Sequence, residues 1–324
     1  MRAARCDSYG PPDVVTVRDV PDPTPGPGEV VVEVRAAAVN FPDVLMVADK
    51  YQVSLPTPFT PGSEFAGVVR AVGEGVRSVE AGDAVMGSAM SGAFAELICV
   101  PAEGLTPVPE GLDWPSAAAF RVTYTTAYHA LVTAAGVRPG EWVVVLGAAG
   151  GVGTATVDIA HRLGARVVAC ASTHERLSAV AGAEAGIAYD SEDLKARIKE
   201  ITGGGAQVVI DPVGGRYAEP ALRALAPGGR FVTVGYAAGE IPRIPLNLVL
   251  LKDLTVRGVE LRTLAQRHPD APAGAARALA DLVAGGMRPL VSRVFDLDHV
   301  TDALNSLSDR TAVGKVVVAI GDGC

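Results

Sequence analysis

The segment that most restricts the fold is residues 141–173, EWVVVLGAAGGVGTATVDIAHRLGARVVACAST. Residues 143–146 are apolar without a polar break, the pattern of a strand covered on both faces. Gly147, Ala148, Ala149, Gly150, Gly151, Val152 and Gly153 follow as a glycine-rich turn. Val157, Ala160 and Leu163 then recur at helical spacing until Gly164, a helix-ending glycine, and residues 166–171 form a second apolar run. Strand, turn, helix and strand make one βαβ unit. Glycines in such a turn let the backbone approach a pyrophosphate, and the helix start offers unpaired N–H groups and a positive dipole end.

In the G-x-G-x-x-G frame that ends on Gly153, Ala148 stands where the first glycine belongs. A glycine-rich surface loop is therefore the bland alternative, and the flanking strand and helix are what argue against it. An NAD site usually places an acid about 20 residues beyond the turn, on the ribose 2′-hydroxyl. Here that count reaches Ser172, followed by Thr173, His174, Glu175 and Arg176. Two hydroxyls and a guanidinium suit a 2′-phosphate that an acid would repel. Glu175 is the dissenting charge, with an outward position open to it at the start of the next helix. The expected cofactor is NADPH.

The 324 residues are enough for two domains, and no stretch reaches the roughly 20 apolar residues of a membrane span. The first residues lack the apolar core of a secretory signal. Acids and bases are interleaved at a net charge of −8, which argues against a nucleic-acid surface. Cys6, Cys99, Cys170 and Cys324 are scattered without a C-x-x-C, so neither a disulfide framework nor a cysteine zinc site is indicated. A soluble cytoplasmic protein is expected.

Residues 1–120 read as β-rich: 14–20, 29–34, 65–72 and 84–87 are short strands between glycine and proline turns, with 21–28 unable to be strand. Such spacing suggests a small barrel. From Asp113 the rhythm changes. Residues 114–120 and 125–135 read as helices, and after the βαβ unit strand and helix alternate through 177–181, 194–201, 208–211, 217–225 and 230–234 to a last strand at 254–260. That is the rhythm of a doubly wound parallel sheet. A helix at 271–284 and a strand–helix–strand tail at 290–295, 299–307 and 315–320 are expected to return to the first domain.

Several motifs now stand together: Val39, Asn40, Phe41, Pro42 and Asp43; Pro61, Gly62, Ser63, Glu64, Phe65, Ala66 and Gly67; Ala81 to Val85; the glycine turn; Asp211, Pro212, Val213, Gly214 and Gly215; and Val313, Gly314, Lys315, Val316 and Val317. On these residues the chain resembles, over essentially its whole length, the zinc-independent quinone oxidoreductase (zeta-crystallin-like) family of the medium-chain dehydrogenase/reductase superfamily. The resemblance implies an α/β protein with a discontinuous GroES-like β-barrel catalytic domain, 1–120 and 264–324, around a Rossmann NADPH-binding domain, 121–263. It also implies a homodimer paired through strand 254–260.

Zinc-dependent relatives carry a cysteine, a His-Glu pair and a further cysteine or acid around the ion. Here the cysteine position falls among Asn40 to Asp43, the histidine position is Ser63 before Glu64, and the four-cysteine structural lobe is missing. Two isolated acids do not make a tetrahedral zinc site, so the expected chemistry is metal-free. Without a Lewis acid the substrate must accept hydride readily by itself, as a quinone or activated enone does, while the protein supplies proximity, a dry site and hydrogen-bond donors.

By the resemblance, Asn40 and Thr126 lie beside the nicotinamide, and Asp43 and Tyr51 lie at the substrate end, where Tyr51 donates to a carbonyl oxygen. A tyrosine between Lys50 and Gln52 is otherwise an ordinary half-buried loop residue. Gly150, Gly151 and Val152 are matched to the pyrophosphate, and Ser172, Thr173, Arg176 and Tyr189 to the adenosine-phosphate pocket. Gly214, Gly235, Tyr236 and Arg310 are matched to further cofactor contacts. The chain departs from many relatives at Arg121 and Thr125, where they have proline and glycine. Arg121 either greets an anionic substrate, such as a thioester's phosphates, or pairs with an acid. Glu260 and Arg262 take a strand end that is often apolar in the family.

The five histidines share no ligand spacing, no G-x-S-x-G is present, and Gly314-Lys315 lacks the glycines of a P-loop. Three functions remain open: an NADPH-dependent quinone reductase, an enoyl or alkenal reductase on the same scaffold, and an NADPH-binding protein without turnover. Against RNA binding by the last stands the absence of a basic patch interleaved with aromatics.

Overall fold

One strand of valines and alanines, Glu29–Val39, is the longest in the computed structural model, which describes residues 1–321. The chain divides into two units, Met1–Val122 with the described residues from Arg288 onward, and Thr123–Met287. The first unit opens with an antiparallel ribbon of β1 (Arg2–Cys6) and β2 (Val15–Asp19), then the long strand β3, helix α1 (Phe41–Val47) and strands β4 (Glu64–Val72), β5 (Ala84–Ser88), β6 (Leu97–Pro101) and β7 (Thr106–Pro107). Asp113 caps helix α2 (Trp114–Ala118), its carboxylate accepting from Ser116 N, and α3 (Arg121–Tyr128) follows. After α3 the helix loosens into a π-helical turn over His129–Ala135 that ends on Gly136 at φ 58°. Two arginines satisfy that turn's free carbonyls: Arg257 reaches Thr133 and Ala134 at 3.2 and 3.1 Å, and Arg230 reaches Ala135 at 2.9 Å.

In the second unit, strands β8 (Trp142–Leu146), β9 (Arg166–Ala171), β10 (Ala185–Ala188), β11 (Ala206–Asp211), β12 (Leu225–Thr233) and β13 (Thr255–Gly258) alternate with helices α4 (Gly151–Arg162), α5 (His174–Leu177), α6 (Leu194–Thr202), α7 (Ala218–Arg223) and α8 (Leu246–Lys252). The six strands are parallel, in the order β10-β9-β8-β11-β12-β13. Every residue of β8 is buried, as its unbroken apolar run requires, and burial of each such side chain is worth about 1.5–3 kcal/mol. Strand order reverses between β8 and β11, and in open α/β sheets the ligand crevice lies beyond the carboxyl ends at such a point.

Two details differ from the sequence expectation. The element at 177–181 is the short helix α5, earlier in the chain, and the strand that follows is Ala185–Ala188, whose small side chains give little apolar signal. The last strand stops at Gly258, because Glu260 turns the chain into α9 (Leu261–Arg267) by accepting from Arg262 N and Thr263 N at 3.1 and 2.8 Å.

Helix α10 (Ala271–Ala284) also belongs to this unit, so the boundary falls after Met287 and not at residue 264. Ala275, Leu279 and Val283 bury one face of α10, and Arg162 at the end of α4 donates to Gly285 O at 3.2 Å. The chain then returns to the first unit with β14 (Val291–Asp296), α11 (Val300–Ser308) and β15 (Lys315–Ala319). There β3 pairs with β4 on one edge and on the other with β6 and then β15, in the order β14-β15-β3-β4-β5-β7. Register shifts in the β3–β4 pairing mark the bend that lets one strand serve three partners. Val30, Val32, Val34, Phe65, Val316 and Val318 pack with Leu304 of α11 into this unit's core.

Candidate functional site

The glycine turn lies where β8 hands over to α4. Gly147 sits at φ 58°, so it, and not Ala148 in the motif frame, supplies the left-handed residue of the tight turn. Gly153 is held for packing: a Cβ there would strike the Gly147 carbonyl oxygen and come within 2.7 Å of Ala148 Cα. Gly150, the N-cap of α4, has ordinary φ and ψ of −87° and 172°, and a Cβ there would meet only Gly147 O, at 3.4 Å. Gly151 and Val152 begin α4, whose first N–H groups lack intrahelical acceptors. Bare backbone, free donors and a positive dipole end therefore converge, a geometry suited to a pyrophosphate.

At the end of β9, Ser172 is half-buried and its carbonyl accepts from Asp190 N at 3.4 Å. Thr173 caps α5, its hydroxyl accepting from Arg176 N at 3.3 Å. Glu175 is exposed on that helix, the outward position open to it from the sequence. Tyr189 follows β10 and packs on Tyr217 with ring centres 4.2 Å apart. Burial pushes the Tyr189 hydroxyl up to about 12, and the positive field of Arg176 opposes the shift. Asp190 is engaged by Arg216 at 2.9 Å and Tyr217 at 2.6 Å, which leaves the neighbourhood of Ser172, Thr173 and Arg176 suited to a dianionic phosphate.

After β11, the Asp211 carboxylate folds the next loop by accepting from Val213 N and Gly214 N at 2.8 and 2.7 Å. Burial raises its pKa. Gly214 has φ 68°, and a Cβ there would lie 2.9 Å from the Tyr236 ring. Gly235 follows β12 with its N–H on Asp211 O at 3.4 Å, and Tyr236 is 40% exposed. Gly214, Gly235 and Tyr236 thus gather beside the glycine turn, where Val213 meets Gly147.

The first unit holds a different polar centre. Asn40 caps α1 and is buried with Asp43, Glu64 and Lys315. Lys315 Nζ donates to Asn40 Oδ1 at 2.6 Å, to Glu64 Oε2 at 3.1 Å and to Val39 O at 3.3 Å. Asn40 Nδ2 donates to Glu64 Oε2 at 3.1 Å, so both ends of the amide are fixed. Glu64 Oε1 accepts from Val122 N at 2.6 Å, in the first turn of α3. Asp43, fully buried, accepts from Asn40 N at 2.7 Å. Burial pushes its carboxyl up to about 7, against the pull of Ser63, the Asn40 N–H and Lys315.

Lys315 and Glu64 were legible only as parts of motifs. The usable signal was an ammonium inside the apolar run Val-Gly-Lys-Val-Val-Val, which demands a buried counter-ion. Thr126 is buried on α3 in the second unit. Tyr51 is half-buried in a bend, away from the hydrogen bonds that the described residues make around Asn40. Arg310 is exposed at the end of α11 in the first unit, at φ 58°. Arg121 Nη1 donates to the Thr106 hydroxyl at 3.3 Å, and among the described residues no carboxylate is ion-paired with it.

A doubly wound sheet with this turn at its switch point, joined to a barrel with a buried polar centre, defines a nucleotide-dependent oxidoreductase. Two family models match the chain: "Alcohol dehydrogenase GroES-like domain" over residues 26–110 and "Zinc-binding dehydrogenase" over 151–280. Quinone oxidoreductase-like protein 2 of Bos taurus is 37% identical over 98% of this chain and 92% of its own. The quinone oxidoreductase of Thermus thermophilus matches at 36% identity and a TM-score of 0.85, over 98% of this chain and 100% of its own. That of Escherichia coli, complexed with NADPH, matches at 28% identity and 0.91 over the same shares. The chain belongs to the quinone oxidoreductase family of the medium-chain dehydrogenase/reductase superfamily. The zinc in the second model's name does not fit these residues, because Asn40, Ser63 and Glu64 offer one carboxylate already bonded to an ammonium. Among the described residues no three His, Cys, Asp or Glu side chains are grouped to hold a metal.

Proposed function

We propose that this protein is an NADPH-dependent, metal-free reductase of quinones. The closed bonding of Asn40, Glu64 and Lys315 carries the assignment: their polar groups are spent on one another, so activation toward hydride must reside in the acceptor. A quinone has that activation; a simple ketone does not. When bound, NADPH supplies the hydride, and quinone, NADPH and a proton give hydroquinone and NADP⁺. The start of α4, with Gly150, Gly151 and Val152, holds the pyrophosphate. Ser172, Thr173, Arg176 and Tyr189 hold the adenosine phosphate, and Gly214, Gly235, Tyr236 and Arg310 make further cofactor contacts. Asn40 and Thr126 are assigned to the side of the nicotinamide and Tyr51 to the acceptor's carbonyl oxygen as donor, while Asp43, sealed from solvent, positions Asn40 by accepting from its N–H.

The test follows NADPH absorbance with small quinones and an enoyl thioester, with NADH in parallel. Fast turnover with quinones and NADPH supports the proposal. Turnover with the thioester alone makes the protein an enoyl reductase, and tight binding without turnover makes it a non-catalytic NADPH binder. In the same assay Arg176→Ala is expected to raise KM for NADPH about 10- to 100-fold, the size of a lost charge-assisted phosphate contact, with little change for NADH. Equal effects on both nucleotides sink that assignment.

We also propose a homodimer through β13, the edge of the parallel sheet, whose four residues are all exposed. An unpaired edge invites pairing with a second copy. Leu246, Leu250 and Leu251 on the preceding α8 are 78, 81 and 75% exposed, the apolar surface such an interface would cover. Leu250→Asp should shift the species seen by light scattering from dimer to monomer; a monomeric wild type contradicts the proposal. Within the described residues no helix is long and apolar enough to cross a membrane. Cys6, Cys99 and Cys170 are free, in keeping with a cytoplasmic location, and Cys324 lies outside the described residues.

A further inference from the structure

The half-buried guanidinium of Arg121, next to Val122 whose N–H holds Glu64 of the Asn40 centre, is a charge that the mechanism above does not use. Among the described residues its hydrogen bond runs from Nη1 to Thr106 Oγ1 at 3.3 Å, and no carboxylate of theirs lies within ion-pair distance. None of the fully buried, unpartnered side-chain nitrogens and oxygens of the described residues belongs to Arg121. Burial lowers the pKa of the group, opposed by the field of Glu64.

Glu64 is not free to serve as the counter-ion. Its Oε1 is held by Val122 N at 2.6 Å, and its Oε2 by Asn40 and Lys315 at 3.1 Å each. Lys315 cancels the Glu64 charge, and Asp43, which burial pushes up to about 7, carries only part of a charge at neutral pH. The surplus at this end of the unit is therefore positive and resides on Arg121. The fold does not need it, since the first turn of α3 is already tied by Glu64 and a neutral donor would serve Thr106 equally well. A partly desolvated guanidinium with donors to spare is a fork for an oxyanion.

We propose that Arg121 binds an anionic group of the acceptor substrate, so that the protein selects acceptors bearing a carboxylate, phosphate or sulfonate. As a specificity assignment it rests on the reductase function proposed above. The test compares 1,4-naphthoquinone with 1,4-naphthoquinone-2-sulfonate in the wild type, Arg121→Gln and Arg121→Lys. The ratio of kcat/KM for the sulfonate over the neutral quinone should fall about 10- to 100-fold in Arg121→Gln, mainly through KM, and recover partly in Arg121→Lys. An unchanged ratio overturns the proposal. Calorimetric binding of naphthalene-2-sulfonate, which accepts no hydride, separates this failure from failure of the reductase function. Binding that weakens about 10- to 100-fold in Arg121→Gln supports the anion site even if no quinone turns over. Binding that is absent, or equal in both proteins, removes it.

Discussion

Lys315→Met is expected to lower the melting temperature by roughly 6–20 °C. The ammonium is 3% exposed and donates to Val39 O, Asn40 Oδ1 and Glu64 Oε2. Methionine fills much of its volume but leaves the fully buried Glu64 carboxylate without a counter-charge. Removing one partner of a buried pair costs about 3–5 kcal/mol, and about 1 kcal/mol shifts the melting temperature of a unit the size of the first one, which contains both residues, by 2–4 °C. Asn40 Oδ1 loses its donor in the same stroke. Lys315 also holds the Asp43 pKa down, so its loss favours the protonated acid. The companion variant Glu64→Gln with Lys315→Met removes both charges and should regain most of the loss, because the penalty lies in the unpaired charge. Scanning calorimetry decides the matter. A single variant within about 1 kcal/mol of wild type, or a double variant no better than the single, would mean that the centre is more hydrated than its burial implies.

Why the turn was legible in the sequence and this centre was not follows from distance along the chain. Residues 143–153 declare a strand and its turn locally: four apolar residues can only be a covered strand in that setting, and the glycines sit next to them. Asn40, Glu64 and Lys315 meet only after β15 returns to pair with β3, and Lys315 and Glu64 are 251 positions apart. Residue types alone told what the centre lacked, a cysteine and a histidine, but not that an ammonium stands among the acids.

The domain boundary failed for a related reason. The amphipathic pattern of α10 shows that one face is buried without saying against what, and the Arg162–Gly285 bond that ties it to the second unit is long-range. The glycine frame misled on a finer scale. Gly147 lies one place before the motif window, and only its positive φ shows that it makes the turn. Arg121 was legible as an anomaly, with two explanations left open; among the described residues its partner is the Thr106 hydroxyl and not an acid.

Gly150→Val should cost at least about 100-fold in NADPH affinity while leaving the melting temperature nearly unchanged. At φ −87° and ψ 172° any residue is comfortable and the nearest obstacle to a Cβ is 3.4 Å away, so inside the folded chain only the N-cap preference favours glycine here, and that is too small to unfold it. A stronger reason comes from outside the chain. A side chain there would stand over the start of α4, where the pyrophosphate needs direct access to backbone N–H groups. Each charge-assisted bond lost is worth about 1.5–3 kcal/mol, and 100-fold corresponds to about 2.7 kcal/mol. Gly153→Val is the contrast: its side chain would drive into the backbone of Gly147 and Ala148, and stability should fall along with binding, by about 1–3 kcal/mol or more. Fluorescence titration of NADPH beside thermal unfolding separates the two glycines. If Gly150→Val binds NADPH as the wild type does, the pyrophosphate does not lie at the start of α4, and the cofactor assignments built on that turn fall with it.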